Sequence, residues 1–271
     1  MTRTAQSRTF EEATAITASG PGAYVADVDP LWTVVGNPNG GYLQAIMARA
    51  AVAASSHPHV VAASTHFLSV PRPGRVSLDV ETLRQGRSIT QVRVRLSQDA
   101  TPRAESVFSL GSLSEAGQAR WASDGLPAAG APFEDCPRFL PPREGFAVEL
   151  LHQVHLHLEP ESLSSVHGAP RGIGELRGWL DLPGGEAFDP ASLLFAADAL
   201  PPATFDIAFT GWVPTVELST YVRSLPAPGP VHVVFEANLV QDGRVDETCT
   251  VRDGRGTIVA QSHQLAGIRM D

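Results

Sequence analysis

The order of apolar and polar residues along the chain predicts two kinds of element, apolar helices and alternating strands. Residues 36–54 begin with turn-forming residues, among them the pair Gly40–Gly41, and continue with Ala, Leu, Ile and Met and almost no charge. A run that is apolar on most faces predicts a helix buried along much of its length, with Asn39 as its N-cap. Residues 190–200 (PASLLFAADAL) predict a second apolar helix that ends before a Pro-Pro pair.

Alternation of apolar and polar residues predicts strands around these helices. In residues 76–83, valine and leucine alternate with Asp79 and Glu81 until Leu83, which falls one position out of phase. The same reasoning places strands at 23–27, 31–35, 59–70, 76–83, 89–96, 103–113, 147–158, 174–182, 215–222, 231–239, 245–252 and 257–268.

One helix followed by four strands occurs twice, which predicts a duplicated domain. The repeat is visible in the letters, because SVPRPGRVSLDVETL from Ser69 matches SLPAPGPVHVVFEANL from Ser224. Residues 114–143 are rich in Gly, Pro, Ser and Asp without sustained periodicity, which is typical of a linker. We expect a loosely held leader at 1–20, an N-terminal domain at 21–113, a linker at 114–143 and a C-terminal domain at 144–271.

The composition of the chain disfavours several classes of function. The net charge of −9 disfavours nucleic acid as a partner, since its phosphates would be repelled. All basic residues are arginine, which excludes Schiff-base chemistry and a phosphate-binding loop lysine. Cys136 and Cys249 are isolated, so no disulfide is expected. The sequence shows no secretory signal and no apolar run of membrane-spanning length, so we expect a cytoplasmic protein without membrane insertion.

Four stretches, GGYLQAIMARA, HFLSVPRPGRVSLDVETLRQGRS, VPTVEL and RDGRGTIVAQSHQLAGIR, resemble the double hot-dog acyl-CoA thioesterases of the bacterial thioesterase II type. The resemblance covers most of residues 30–113 and 171–269. It implies an α+β double hot-dog fold, two fused domains whose antiparallel sheets each wrap a central helix. It also implies hydrolysis of acyl-CoA to free acid and CoA without a cofactor, and a homodimer of the double unit.

The resemblance also implies which residues act on the substrate. In this family an Asp at the second helix, a Thr on the next strand and a Gln on the last strand orient the hydrolytic water. They correspond here to Asp198 in FAADALPP, Thr215 in TVEL and Gln264 in SHQLAGIR. The family has Thr-x-Asp where this chain has Glu217, which is the one departure within that motif.

When the two halves are aligned on the repeat, the polar trio Asp198, Thr215 and Gln264 lies in the second half. The glycine pair Gly40–Gly41 lies in the first half. Because each helix start faces the partner half in a hot-dog pair, we expect one composite site. Helix-end groups of Asn39, Gly40 and Gly41 would bind the substrate and its oxyanion, and Asp198, in an apolar helix, would act as a general base of raised pKa. We expect the symmetry-related second site to have lost its function and to form part of the hydrophobic core.

Other functions and structural roles stay open at this point. Each polar residue of the trio could have a purely structural role, at a helix end for Asp198 and in a strand for Thr215 and Gln264. Gly40–Gly41 could serve only to let the helix pack closely against the sheet. No Asp-x-x-x-x-His occurs for a hot-dog hydratase and no Gly-x-Ser-x-Gly for a serine hydrolase. In HQVHLH, His155 and His157 share a strand face but His152 points away, so no metal is expected. The alternative function is a non-catalytic acyl-CoA or acyl-lipid binding protein, and the acyl group itself is left open.

Overall fold

The computed structural model describes residues 8–115, 117, 119–140 and 147–269. The α-helices in these ranges are α1 (Phe10–Ala13), α2 (Gly40–Ala53), α3 (Pro160–Val166) and α4 (Pro190–Ala196). Short 3-10 helices lie at Phe133–Asp135, Glu149–His152, Pro183–Gly185 and Ala203–Asp206. None of the helices in the described ranges is long and apolar enough to cross a membrane.

The strands of the first half are β1 (Ile16–Gly20), β2 (Ala23–Val28), β3 (Thr33–Val34), β4 (Asn37–Pro38), β5 (His59–Phe67), β6 (Gly74–Gln85), β7 (Thr90–Gln98) and β8 (Thr101–Gly111). Those of the second half are β9 (His155–Leu158), β10 (Glu175–Asp181), β11 (Thr215–Val222), β12 (Val231–Gln241), β13 (Arg244–Arg252) and β14 (Ile258–Gly267). Twelve of them form one antiparallel sheet in the order β1-β2-β6-β7-β8-β5-β11-β14-β13-β12-β10-β9, and β3 pairs with β4. The sheet runs from one half into the other without a break.

The two halves join where β5 pairs with β11, with Thr65 opposite Leu218. Beneath this seam lies Gln44 of α2, which is fully buried. Its amide nitrogen donates to the Thr65 hydroxyl at 2.8 Å and to the Leu218 carbonyl at 3.2 Å. Its amide oxygen accepts from the Thr220 hydroxyl at 3.0 Å. One buried side chain therefore ties α2 to strands of both halves, and removing it would leave buried polar groups unpaired at a cost of about 1–3 kcal/mol each.

Helix α2 begins as the sequence predicts. The Asn39 side-chain oxygen accepts from the Tyr42 backbone N–H at 2.9 Å, which confirms Asn39 as the N-cap. Most residues of the helix are buried, in agreement with its nearly uncharged sequence. The Tyr42 hydroxyl donates to the Ala13 carbonyl and accepts from the Asp29 N–H, so the start of α2 is also fixed from its N-terminal side.

Helices α2 and α4 pack against each other in opposite directions, so that each begins near the end of the other. At one junction Gly41 lies so close to α4 that an added Cβ would be 2.9 Å from the Leu194 carbonyl oxygen and 3.0 Å from the Phe195 Cα. At the other junction Arg49 pairs with Asp189, the N-cap of α4, at 2.6 Å. The first junction needs a glycine because the opposing atoms are backbone and cannot turn away.

Several sequence predictions of secondary structure are confirmed, including the irregularity at Leu83. The pairing of β6 with β7 shifts register between Thr82 and Arg84, which is a β-bulge at the position where the alternation slips. Two other predictions are wrong. Helix α4 ends at Ala196, so Asp198 lies in the turn beyond it, and the first part of the strand predicted at 147–158 is a 3-10 turn followed by the short β9.

The expectation of a loosely held leader at 1–20 is wrong for residues 8–20, while residues 1–7 lie outside the described ranges. Phe10 of α1 is fully buried, and its ring contacts those of Trp32 and Phe195 at 5.2 and 5.3 Å between centroids. Strand β1 pairs with β2 and extends the sheet by one strand. The aromatic contacts come from residues distant in the sequence, which the local composition does not reveal.

Replacing Gly41 by alanine should destabilise the fold by about 1–3 kcal/mol, because the new methyl group overpacks the helix junction. Urea unfolding of the two proteins measures this difference. Gly20→Ala is the matched control, since the nearest atom to an added Cβ there is 3.9 Å away, and it should change stability by less than about 0.5 kcal/mol. Equal stabilities of Gly41→Ala and the control would contradict the steric account.

Candidate active site

The Asp198 carboxylate lies against the start of α2. Its Oδ2 accepts a hydrogen bond from the Gly41 N–H at 2.7 Å and one from the Asn39 side-chain nitrogen at 3.1 Å. The same Asn39 nitrogen donates to the Asp198 carbonyl at 2.9 Å. Within the described ranges no group donates to Oδ1. One carboxylate oxygen is therefore held by the partner half, and the other is left to accept a further hydrogen bond.

The surroundings of Asp198 change its acidity in two opposing ways. Burial disfavours the charged form, while the hydrogen bonds from Gly41 and Asn39 favour it, and the balance raises the pKa of Asp198 to about 6. A carboxyl of this pKa is mostly ionised at neutral pH and still basic enough to accept a proton from water. Its acidity thus falls in the range that suits a general base.

Three side chains on neighbouring strands form a hydrogen-bonded row beside this carboxylate. The Thr215 hydroxyl on β11 donates to the Gln264 amide oxygen on β14 at 3.0 Å. The Gln264 amide nitrogen donates to Glu247 Oε2 on β13 at 2.7 Å. The other oxygen of Glu247 accepts from the Ala203 backbone N–H at 2.8 Å. Thr215 and Gln264, which the resemblance implied, are thus in direct contact.

Glu247 was not among the predicted site residues. It is fully buried, and burial raises its pKa to about 7 against the hydrogen bonds from Gln264 and Ala203, with the nearby Asp198 charge raising it further. A signal for it was present in the sequence, since Glu247 is in phase with Val245, Cys249 and Val251, all of which face the core. An acid at an inward position of a strand indicates a special environment.

A cavity of about 580 Å³ brings these groups together. Asn39 and Gly40 line it from the first half, and Asp198, Thr215 and Gln264 line it from the second, with Glu247 beside them. Apolar side chains form most of the remaining wall: Val34, Leu43, Phe67, Val70, Phe139, Val148, Leu150, Leu151, Val166, Phe205, Phe209, Trp212, Val213, Val216 and Phe235. A mostly apolar cavity with a few converging polar groups has the character of a small-molecule site.

The backbone N–H of Gly41 does not take the expected role of binding a substrate oxyanion. Its N–H donates to Asp198, so this group is occupied and not directed at a substrate oxyanion. The Asn39 amide is likewise engaged by Asp198 and by the helix cap. Of the three helix-end residues, Gly40 both lines the cavity and has a backbone N–H without an acceptor in the part of the chain that the structure describes.

The second helix junction is not core, which corrects the expectation of a fully decayed site. It carries the half-exposed Arg49–Asp189 ion pair and a smaller cavity of about 400 Å³ next to His59. In place of Gly41, α4 begins with Pro190–Ala191, and the helix has seven residues. The polar row of the first site has no counterpart among the residues that line this cavity.

The three histidines of HQVHLH do not converge. The His157 ring lies 2.9 Å from the Cys136 carbonyl oxygen, and His155 is 3.7 Å from Asp181. In the described ranges, no three His, Cys, Asp or Glu side chains are grouped so that they could hold a metal ion.

The fold is that of a double hot-dog protein with a cavity lined by residues of both halves, and the comparisons identify its family. A family model described as the acyl-CoA thioesterase N-terminal domain matches residues 28–111, and one described as the acyl-CoA thioesterase C-terminal domain matches residues 133–268. This chain belongs to the acyl-CoA thioesterase family, which confirms the resemblance inferred from the sequence.

Individual relatives agree with this assignment. An uncharacterized protein of Mycobacterium tuberculosis is 31% identical over 262 residues, covering 90% of each chain. The solved structure of a thioesterase II candidate from Thermobifida fusca YX has 32% identity and a TM-score of 0.87, covering 96% of this chain and 97% of that one. A hot-dog protein from Alicyclobacillus acidocaldarius, 19% identical, has a TM-score of 0.82 over 97% and 98% of the two chains. The predicted double hot-dog α+β fold is therefore confirmed.

The two carboxyls with raised pKa should make the fold less stable as pH rises. Between about pH 4 and pH 7 the folded chain keeps protons on Asp198 and Glu247 that the unfolded chain has lost, so the free energy of unfolding falls with pH. For Glu247 the loss is on the order of 3 kcal/mol. Urea unfolding at about pH 5 and about pH 8 should show a smaller pH effect in Glu247→Gln than in the native chain.

The matched control for this measurement is Asp79→Asn, because Asp79 is exposed on β6. It should leave the pH effect unchanged. A Glu247→Gln protein with the same pH dependence as the native chain would show that Glu247 has no raised pKa.

Proposed function

We propose that this protein hydrolyses an acyl-CoA thioester to a free acid and CoA. The observation that carries the proposal is the Asp198 carboxylate, with Oδ2 held at the start of α2 and Oδ1 without a donor in the described ranges, in a cavity that Thr215 and Gln264 also line. Membership of the acyl-CoA thioesterase family supports the substrate and the reaction.

In the proposed reaction, Asp198 and the hydrogen-bonded row of Thr215, Gln264 and Glu247 act together to activate water. Asp198 Oδ1 accepts one proton of a water molecule and removes it as the water oxygen attacks the thioester carbonyl. Thr215 already donates its own proton to Gln264, so its oxygen accepts the second proton of that water as a hydrogen bond. Neither Thr215 nor Gln264 competes for the proton that Asp198 takes.

The attack places negative charge on the carbonyl oxygen, and the Gly40 N–H at the start of α2 is the group that can stabilise it. A backbone donor in such a position contributes about 3–4 kcal/mol to the transition state by comparison with known oxyanion holes. Collapse of the tetrahedral intermediate breaks the carbon–sulfur bond and releases the CoA thiolate, which takes the proton that Asp198 removed from the water. A thiolate is a good leaving group, so a covalent enzyme intermediate is not required.

The cavity wall favours a hydrocarbon acyl group. Its inner part is formed by buried apolar side chains, among them Leu43, Leu151 and Phe235, whereas Val70 and Phe209 are exposed at its outer part. We infer that the acyl chain occupies the inner part and that CoA extends outward. The volume of about 580 Å³ is far more than an acetyl group fills. A cytoplasmic location and a homodimer of the double unit stay predictions.

Asp198→Asn should lower thiol release from acyl-CoA by about 10²-fold or more, because the amide cannot accept the proton of the water. Thiol release from a panel of acyl-CoAs, followed with a thiol reagent, measures this. Asp79→Asn, at an exposed carboxyl of β6, is the control and should retain native turnover.

Two results would contradict the proposal in different ways. Full activity in Asp198→Asn would remove Asp198 from the reaction while leaving the thioesterase activity in place. A native chain that binds acyl-CoA but releases no thiol would instead establish the non-catalytic acyl-CoA binding protein.

A larger side chain at Leu151 should shorten the preferred acyl group, since Leu151 is buried in the inner wall of the cavity. We expect Leu151→Trp to lose turnover of long acyl-CoAs by about 10-fold or more relative to short ones. The exposed Leu83 provides the control Leu83→Trp, which should keep the native chain-length profile. An unchanged profile in Leu151→Trp would mean that the acyl chain does not enter this part of the cavity.

A further inference from the structure

Glu247 is a buried acid without a cation. Its side chain is fully buried, and in the described ranges no arginine or histidine pairs with it. The other fully buried carboxyl nearby, Asp206, is different, because Arg171 contacts both of its oxygens and lowers its pKa against the effect of burial. An unpaired buried acid costs stability, so Glu247 needs an explanation that Asp206 does not.

The contacts of Glu247 determine which way the neighbouring amide points. Above its raised pKa Glu247 is ionised and only accepts hydrogen bonds, so the Gln264 group that faces it at 2.7 Å is then the amide nitrogen. The amide oxygen of Gln264 then faces Thr215, and the Thr215 hydroxyl donates to it at 3.0 Å. With its proton committed, Thr215 presents only an acceptor to the cavity.

We propose that Glu247 is a positioning residue, which sets the direction of this hydrogen-bond row so that Thr215 accepts a hydrogen bond from the hydrolytic water. The inference rests on the proposed function. Glu247 touches neither the water nor the substrate in this account, and acts through Gln264. The Ala203 backbone N–H holds the other carboxylate oxygen and keeps the side chain in place.

Glu247→Gln tests the direction of the row with almost no change of shape. The Ala203 N–H still needs an acceptor, so the new amide turns its oxygen to Ala203 and its nitrogen to Gln264. Gln264 must then rotate its amide to offer an oxygen, and its nitrogen donates to Thr215. The Thr215 hydroxyl group then points its proton into the cavity. There it faces a proton of the water, so Thr215 no longer accepts a hydrogen bond from that water.

In acyl-CoA hydrolysis we expect Glu247→Gln to lower kcat by about 10-fold or more while KM changes by less than about 2-fold. The pH profile of kcat/KM should also change. Among the described residues, Asp198 and Cys249 are the titratable groups that interact with Glu247, and burial raises the pKa of the Cys249 thiol so that it stays protonated. The native profile should therefore need two ionised carboxyls on its acid side and the variant only one. Glu236→Gln, at a half-buried carboxyl of the adjacent strand β12, should alter neither kcat nor the profile.

A second measurement needs no turnover and uses the native chain. The NMR signals of the Gln264 side-chain amide, assigned by their loss in Gln264→Ala, should move around pH 7 as Glu247 titrates, and this movement should be absent in Glu247→Gln. Signals that stay constant across pH, or a Glu247→Gln enzyme with native kcat, would overturn the positioning role. Moving signals in a chain without thioesterase activity would support the Glu247–Gln264 coupling and refute the proposed function alone.

Discussion

The close approach of the two helices at Gly41 is the constraint on which the site depends. Because Gly41 has no side chain, the backbone of α4 at Leu194–Phe195 can come within contact of the start of α2. That approach brings Asp198, just beyond the end of α4, within 2.7 Å of the Gly41 N–H. The two residues belong to different halves of the duplicated chain, so the site exists only when the halves share one sheet and one helix pair. At the opposite junction the Arg49–Asp189 ion pair takes the place of this contact.

The electrostatics of the cavity follow from the same packing. Asp198 and Glu247 occupy an apolar environment. In the part of the chain that the structure describes, backbone N–H groups and neutral amides, and not cationic side chains, donate to Asp198 Oδ2 and to both oxygens of Glu247. Dipoles of this kind compensate burial only in part, so both pKa values are raised into the neutral range. A carboxylate in that range can exchange protons with water near pH 7, which is the property that a hydrolytic general base requires. The same burial lowers the free energy of unfolding at neutral pH.

The sequence predicts those helices and strands whose formation depends on residues close together in the chain. The apolar run after Asn39 predicts α2 and its cap, and the out-of-phase Leu83 lies at the bulge between β6 and β7, because helix and strand periodicities are local properties. Asp198, Thr215 and Gln264 were reached through the family resemblance, and the structure brings them to one cavity. The partner of the Gly41 N–H lies 157 residues away, and Phe10 packs against Phe195, so neither contact could be derived from neighbouring residues. Glu247 was missed because a buried acid in a strand shows its meaning only once Gln264 is known to lie beside it.

The most direct test of the account is to compare the titration of Asp198 with the rate of hydrolysis. Carbon NMR of aspartate-labelled protein would follow the Asp198 carboxyl, identified by its loss in Asp198→Asn, while kcat/KM for an acyl-CoA is measured over the same pH range. We expect Asp198 to titrate near pH 6 and kcat/KM to rise with pH as Asp198 ionises, with Glu247 as the second carboxyl on the acid side of the profile. An Asp198 that titrates near the ordinary value of about 4, or a rate that does not change as it ionises, would contradict the assignment of Asp198 as the base.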